Sequence, residues 1–172
     1  MSTFQMESQN KDKWCWAAVS ASIERYFLPN SSWTQCRIAR SLAAKQKLLG
    51  VSANANCCGS ADACNQAAAL DDALRAVGRL KGFVSRPLEF KEVCDEIDNN
   101  CPVGVRIEWA EGGAHFVAIH GYWASPNNDI QIVHVSDPHF GASKLYYEHF
   151  LSCYQFWNDG GGFWTDSYLI RA

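Results

Sequence analysis

The apolar positions of the first hundred residues recur at helical spacing. In 14–28, WCWAAVSASIERYFL, the residues Cys15, Val19, Ile23, Tyr26 and Phe27 share one stripe, and Pro29 stops the run. A second helix is predicted from Ser32, where Ser32 and Gln35 fit a capping box, towards Gly50. A third is predicted over about 64–77, with Leu70, Leu74 and Val77 inward and Gly78 as its stop. A shorter one follows Pro87, turns Phe90, Val93, Cys94 and Ile97 inward, and ends before Pro102.

After Pro102 the period changes to two. VGVRIEW (103–109), HFVAIHGYW (115–123), DIQIVHV (129–135) and FWTDSYLI (163–170) read as strands, and SPNN (125–128) as the turn between the second and third. A helical first half followed by an antiparallel second half defines an α+β class. The pattern shows no repeat and no linker, so residues 1–172 are expected to form a single domain.

Composition narrows the function. The chain is 48% apolar, and its seven Trp, nine Phe and six Tyr point to large core anchors instead of disorder. A net charge of −3 argues against nucleic-acid binding, which requires clustered Lys and Arg. No apolar run approaches the roughly 20 residues that span a bilayer, so no membrane role is expected. The first 13 residues contain no apolar stretch of the secretory-signal kind, and both a cytoplasmic and an exported life stay open.

Eight cysteines add a second question. Cys57, Cys58 and Cys64 crowd one Gly/Asn-rich loop. Three readings stay open: a zinc site, although CC-x5-C fits no common zinc spacing; a disulfide pinning the loop to the helix that carries Cys36; or reduced, buried thiols. Cys94 and Cys101 are accounted for by core packing.

Cys15 is the most informative of the eight. It opens a helix, where unpaired backbone N–H groups and the dipole stabilise a thiolate, and Trp14 and Trp16 flank it. The competing reading is a structural Cys beside two core aromatics. A thiolate nucleophile needs a base and an oxyanion site. Gln9, six residues earlier, is placed to turn its amide back and donate alongside the Cys15 N–H; Gln5 is the weaker rival.

Five histidines compete for the base. His115 follows EGGA and opens a strand. With SPNN as a four-residue loop, Ala124 lies opposite Asp129 and His115 opposite residue 138, within a residue or two of Asp137. That carboxylate is expected to accept the Nδ1–H of His115 and fix its tautomer. By the same register His134 lies near Ile119, and His120 is structural. His139 is the credible rival because it adjoins Asp137, and His149 belongs to a turn or short helix. Asp129, Asp159 and Asp166 are acids without a comparable geometric argument. Trp109, Trp123, Phe140 and Trp157 are aromatics whose relation to a cleft the spacing does not fix.

Taken together, Q-x5-C at Gln9 and Cys15, CWAA at 15–18, GAHFVAIHGY at 113–122 and VSDPHFG at 135–141 resemble the papain-like cysteine peptidases. The likeness is greatest to compact bacterial members of the plant-pathogen effector type, and more distant to the double-glycine leader peptidases that process bacteriocins. The resemblance implies Cys15 as nucleophile, His115 as general base, Asp137 as orienting acid and Gln9 as oxyanion donor. It also implies a papain-like fold and thiol-dependent cleavage of a peptide or protein substrate, with no cofactor or metal, by a monomer. Acyl transfer or deamidation by the same triad, and a silent peptide-binding module, are the alternatives.

Overall fold

The computed structural model describes residues 3–59, 62–157 and 160–172, the side chains of 156, 157 and 160 excepted. Its helices are α1 (Cys15–Phe27), α2 (Gln35–Ala44), α3 (Leu70–Ala76), α4 (Phe90–Asp98) and α5 (Tyr147–Ser152). Its strands are β1 (Leu80–Val84), β2 (Val103–Trp109), β3 (Ala114–Ala124), β4 (Gln131–Asp137), β5 (Gly141–Tyr146), β6 (Tyr154–Trp157) and β7 (Gly160–Ile170). The strands form one antiparallel sheet in the order β1-β7-β2-β3-β4-β5, with β6 added to β7. The class is α+β with a papain-like layout: helices first, antiparallel sheet second.

Two apolar clusters place the layers. Side chains of α1, α2 and α3 meet Phe116, Ala118, Tyr168 and Ile170 in one cluster. Leu88, Phe90, Val93, Tyr147 and Phe150 meet Val103, Val105, Ile107, Val117, Ile119, Val133 and Val135 in the other. Successive residues of β3 alternate between the two clusters, as the period of two demands, while β2 gives Val103, Val105 and Ile107 to the second alone. No described helix is long and apolar enough to cross a membrane.

Helix α1 is more deeply set than one apolar stripe implies. Every residue from Cys15 to Glu24 is buried, including Ser20 and Ser22, because α2 and α3 cover the side that the sheet leaves open. Small residues make this possible: Ala17, Ala18 and Ala21 let neighbours approach the helix closely. Glu24, buried at the far end, is held by Arg79 (2.7 Å) and the Ser31 hydroxyl (2.7 Å).

Several expected boundaries move. Helix α2 begins at Gln35, capped by Thr34, whose hydroxyl accepts from Arg37 N–H (3.3 Å). The Ser32–Gln35 capping box does not form, because the Gln35 side chain is committed to residues 7–10. The helix stops at Ala44, well short of Gly50, where Gln46 takes a left-handed φ of 58°. Helix α3 begins at Leu70, six residues late. The stretch before it is held out of a helix: Trp14 Nε1 donates to Cys64 O (2.7 Å) and Trp16 Nε1 to Gln66 O (3.1 Å). The four crowded or loop-facing cysteines are paired as Cys36–Cys58 and Cys57–Cys64, so the loop is pinned to α2.

The hairpin between β3 and β4 also differs. Its loop spans 125–130, closed by Ser125 N–H donating to Ile130 O (2.9 Å), and Ala124 pairs with Gln131, two residues beyond Asp129. An irregularity between Ile119 and Gly121 recovers one residue of that shift, so Ile119 faces Val135, and His134 faces Gly121 instead of Ile119.

Candidate active site

The N-terminus of α1 and the start of β3 face each other across a cleft of about 690 Å³, a size suited to a ligand or a peptide segment. Gln9, Cys15, Trp109, His115, His139 and Phe140 line it, with Ala67–Ala69 forming part of the facing wall. Cys15 is the first residue of α1 and 8% exposed, its sulfur among free N–H groups of the first turn. Trp14 and Trp16 on either side are fixed by the carbonyls of Cys64 and Gln66, so the chain entering the helix is braced by the cystine loop. Lys13 N–H donates to Asn65 Oδ1 (3.0 Å) and tightens the same brace.

His115 enters the cleft from β3, opposite Ile107 of β2. Its Nε2–H donates to both Asp137 oxygens at 2.9 Å. The ring is therefore turned the other way from the sequence expectation: Nε2 meets the acid, and Nδ1 is left for the sulfur. The shifted register still allows the contact, because Asp137 ends β4 and its side chain reaches back along the strand. Burial lowers the basicity of His115, but hydrogen bonds and charge from Asp137 and Cys15 outweigh it and raise the imidazole pKa to about 9. Trp109 stacks on the ring at 5.9 Å, and Phe140 meets it edge-on at 6.1 Å.

Asp137 is 2% exposed and densely bonded. Its Oδ1 accepts from the backbone N–H groups of His139 (2.6 Å) and Phe140 (2.9 Å), and its Oδ2 from the Tyr154 hydroxyl (2.7 Å). Burial pushes its carboxyl up, yet the His115 bond and charge, the Phe140 amide and Tyr154 together hold it below the ordinary value.

Gln9 shares the cleft, and its backbone N–H donates to Pro138 O (3.0 Å), joining the N-terminal segment to the residue after Asp137. Its side-chain amide is not free, as had been expected, to point at the sulfur: Nε2 donates to Lys11 O (3.1 Å) and Asp12 O (2.7 Å), while the buried Oε1 has no partner. Gln5 is exposed and lines a different cavity, with Ser22 and Arg25.

The remaining candidates lie elsewhere. The His139 backbone serves Asp137, but its ring sits exposed at the rim against Phe140. His120 stacks on Phe4 and His149 meets Tyr146 edge-on, and neither lines the cleft that holds Cys15. Asp129 bonds Asn127 in the hairpin loop, and Asp166 pairs with Arg106 (3.5 Å). Trp123 is exposed. Asp159 and the Trp157 side chain fall outside the described residues. Among those residues, no group of three or more His, Cys, Asp or Glu is placed to hold a metal ion. Tyr154 escaped the sequence reading: YQFW shows no alternation, and nothing in its spacing ties it to Asp137.

These features define a papain-like arrangement of a helix-borne sulfur facing a sheet-borne imidazole and carboxylate. The family model described as Peptidase_C39 like matches residues 1–161, and the chain belongs to that family of cysteine peptidases. No curated protein matches the chain.

Proposed function

We propose that the protein hydrolyses peptide bonds through a Cys15-His115-Asp137 triad and a thioester acyl-enzyme. One observation carries the reading: a single buried imidazole, hydrogen-bonded to a buried carboxylate, lines the same cleft as Cys15 at the start of α1. His115 is the base that takes the proton of the sulfur, and the N–H groups of the first turn of α1 face the charge this leaves on it.

The thiolate attacks a peptide carbonyl carbon, forming a C–S bond and moving the π electrons onto oxygen. His115 then gives its Nδ1 proton to the leaving nitrogen as the C–N bond breaks. Water attacks the resulting thioester while His115 takes its proton; the C–S bond breaks, the acid departs and the thiolate returns. Asp137 keeps Nε2 protonated throughout, so that Nδ1 does the transfer. The oxyanion is met by the Cys15 backbone N–H and by Gln9. In the resting state Gln9 spends its N–H groups on the loop, so the oxyanion takes one from Lys11 O, the longer of the two bonds. The reaction calls for no cofactor, and a monomer acting on a peptide or protein substrate suffices.

Incubation with denatured casein, followed by mass spectrometry and an ammonia assay, tests this. Peptide fragments that vanish with Cys15→Ala support it. Ammonia without fragments would transfer the site to amidase chemistry. A Cys15 inert to iodoacetamide, with neither product, would leave only peptide binding.

A further inference from the structure

We infer that Tyr154 is a positioning residue for this reaction: its buried hydroxyl is the second anchor of the Asp137 carboxylate and so sets the orientation of His115. The inference rests on the triad reading above and extends it to a residue outside the triad.

The hydrogen-bond inventory of Asp137 carries the argument. Oδ1 is fixed by two backbone amides, those of His139 and Phe140. Besides His115, Oδ2 has the Tyr154 hydroxyl, at 2.7 Å. Without that bond Oδ2 keeps only its share of the His115 N–H, so the carboxylate can turn about Oδ1 and take Nε2 of His115 with it. A buried carboxylate oxygen stripped of a donor has no water to replace it.

Tyr154 is itself held from every side. It is 1% exposed, its ring stacks on Trp109 at 6.3 Å and takes Phe150 edge-on at 5.3 Å. Trp109 in turn stacks on His115, so one indole lies against both the base and the anchor. The pairing explains the geometry: Gly162 on β7 faces Trp109 on β2 and Tyr154 on β6. Having no side chain, Gly162 leaves the two rings room to meet across it. The register of β6 shifts just after Tyr154, where Gln155 takes a left-handed φ of 51°. Irregularities of this kind re-aim a side chain beside a site. A phenylalanine would pack equally well here; only the hydroxyl reaches the carboxylate.

The test is Tyr154→Phe, alone and with Asp137→Ala, assayed for kcat and KM on a cleaved peptide. The expected result is a fall in kcat of about 10-fold or more, the scale of losing an outer hydrogen bond to an active-site ligand, with KM within twofold. In the Asp137→Ala background the same change has no further effect, because the group it positions is gone. A 13C titration of the Asp137 carboxyl in Cys15→Ala protein moves to higher pH when Tyr154→Phe is added. If Tyr154→Phe fails to fold, 3-fluorotyrosine at position 154 keeps the ring and strengthens the donor, and that titration moves to lower pH instead. An unchanged kcat, an equal loss with and without Asp137, or an unmoved carboxyl titration overturns the inference. Failure of the triad reading looks different: Asp137→Ala or Cys15→Ala would then itself retain full activity.

Discussion

The two walls of the cleft are held by different physics. On the sulfur side, Gln9 to Trp16 is irregular chain leading into a helix, and it has no ladder to lean on. Side chains reaching across about fifty residues hold it, Trp14 to Cys64, Trp16 to Gln66 and Asn65 to Lys13, while Gln35 ties residues 7–10 to α2. Two disulfides then fasten the loop that supplies those partners. On the imidazole side, β2, β3 and β4 fix His115 and Asp137 through continuous backbone pairing, and side chains only refine the aim. Irregular backbone therefore depends on a few specific bonds, any of which can be cut by one substitution, whereas the sheet spreads its support over many.

On the proposed mechanism the largest effects fall on the groups assigned the bond-making and proton-transfer steps. Cys15→Ala and His115→Ala should each remove peptide cleavage, by on the order of 10⁶-fold, with circular dichroism unchanged. Asp137→Ala should lose about 10²-fold and keep measurable turnover, because it orients the base without bonding to substrate. Gln9→Ala should cost about 10²-fold in kcat, near the low end for an oxyanion donor, since the wild-type amide must first leave Lys11 O. Equal losses for Gln9→Ala in kcat and in melting temperature would instead make it a brace.

The walls are separated by a third experiment. Cys36→Ser with Cys58→Ser should lower stability by about 3 kcal/mol, read by urea melts. The same pair should slow Cys15 alkylation changes more than it perturbs the His115–Asp137 hydrogen bond, followed by ring-proton NMR. The smallest effect is on proton affinity. In the native protein His115 should titrate near pH 9, and activity should fall as pH rises through that value. The folded-state pKa is raised, so its contribution to stability is complete below the unfolded value of about 6.5 and is lost as pH climbs through 9. Cys15→Ala removes one of the two raising partners, and the ring titration should move down.

Much of this architecture could be read from the chain. Helix α1, with Pro29 behind it, and strand 103–109 appear where the periodicity sets them, because one buries a long apolar run and the other is a central strand. Strands β1, β5 and β6 did not register: they are short, and LKGFV, GASKLY and YQFW lack strict alternation. The sheet supplies the context that makes them strands. The meeting of His115 with Asp137 survived a wrong loop length, because the irregularity after Ile119 offsets part of the error and the acid sits at a strand end. The ring orientation was not legible, since either imidazole nitrogen satisfies the same spacing. The committed state of the Gln9 amide depends on the fold of 10–12, which no period describes.

Gly162 carries a consequence for how this sequence can drift. A Cβ built there would collide with Ile107 Cγ2 and stand 2.9 Å from the Trp109 ring, inside contact distance. Even alanine would have to push the indole off its seat between base and anchor. A saturation library at this codon, selected for turnover, should return the parental residue alone, although the position does not line the cleft and bears no functional group.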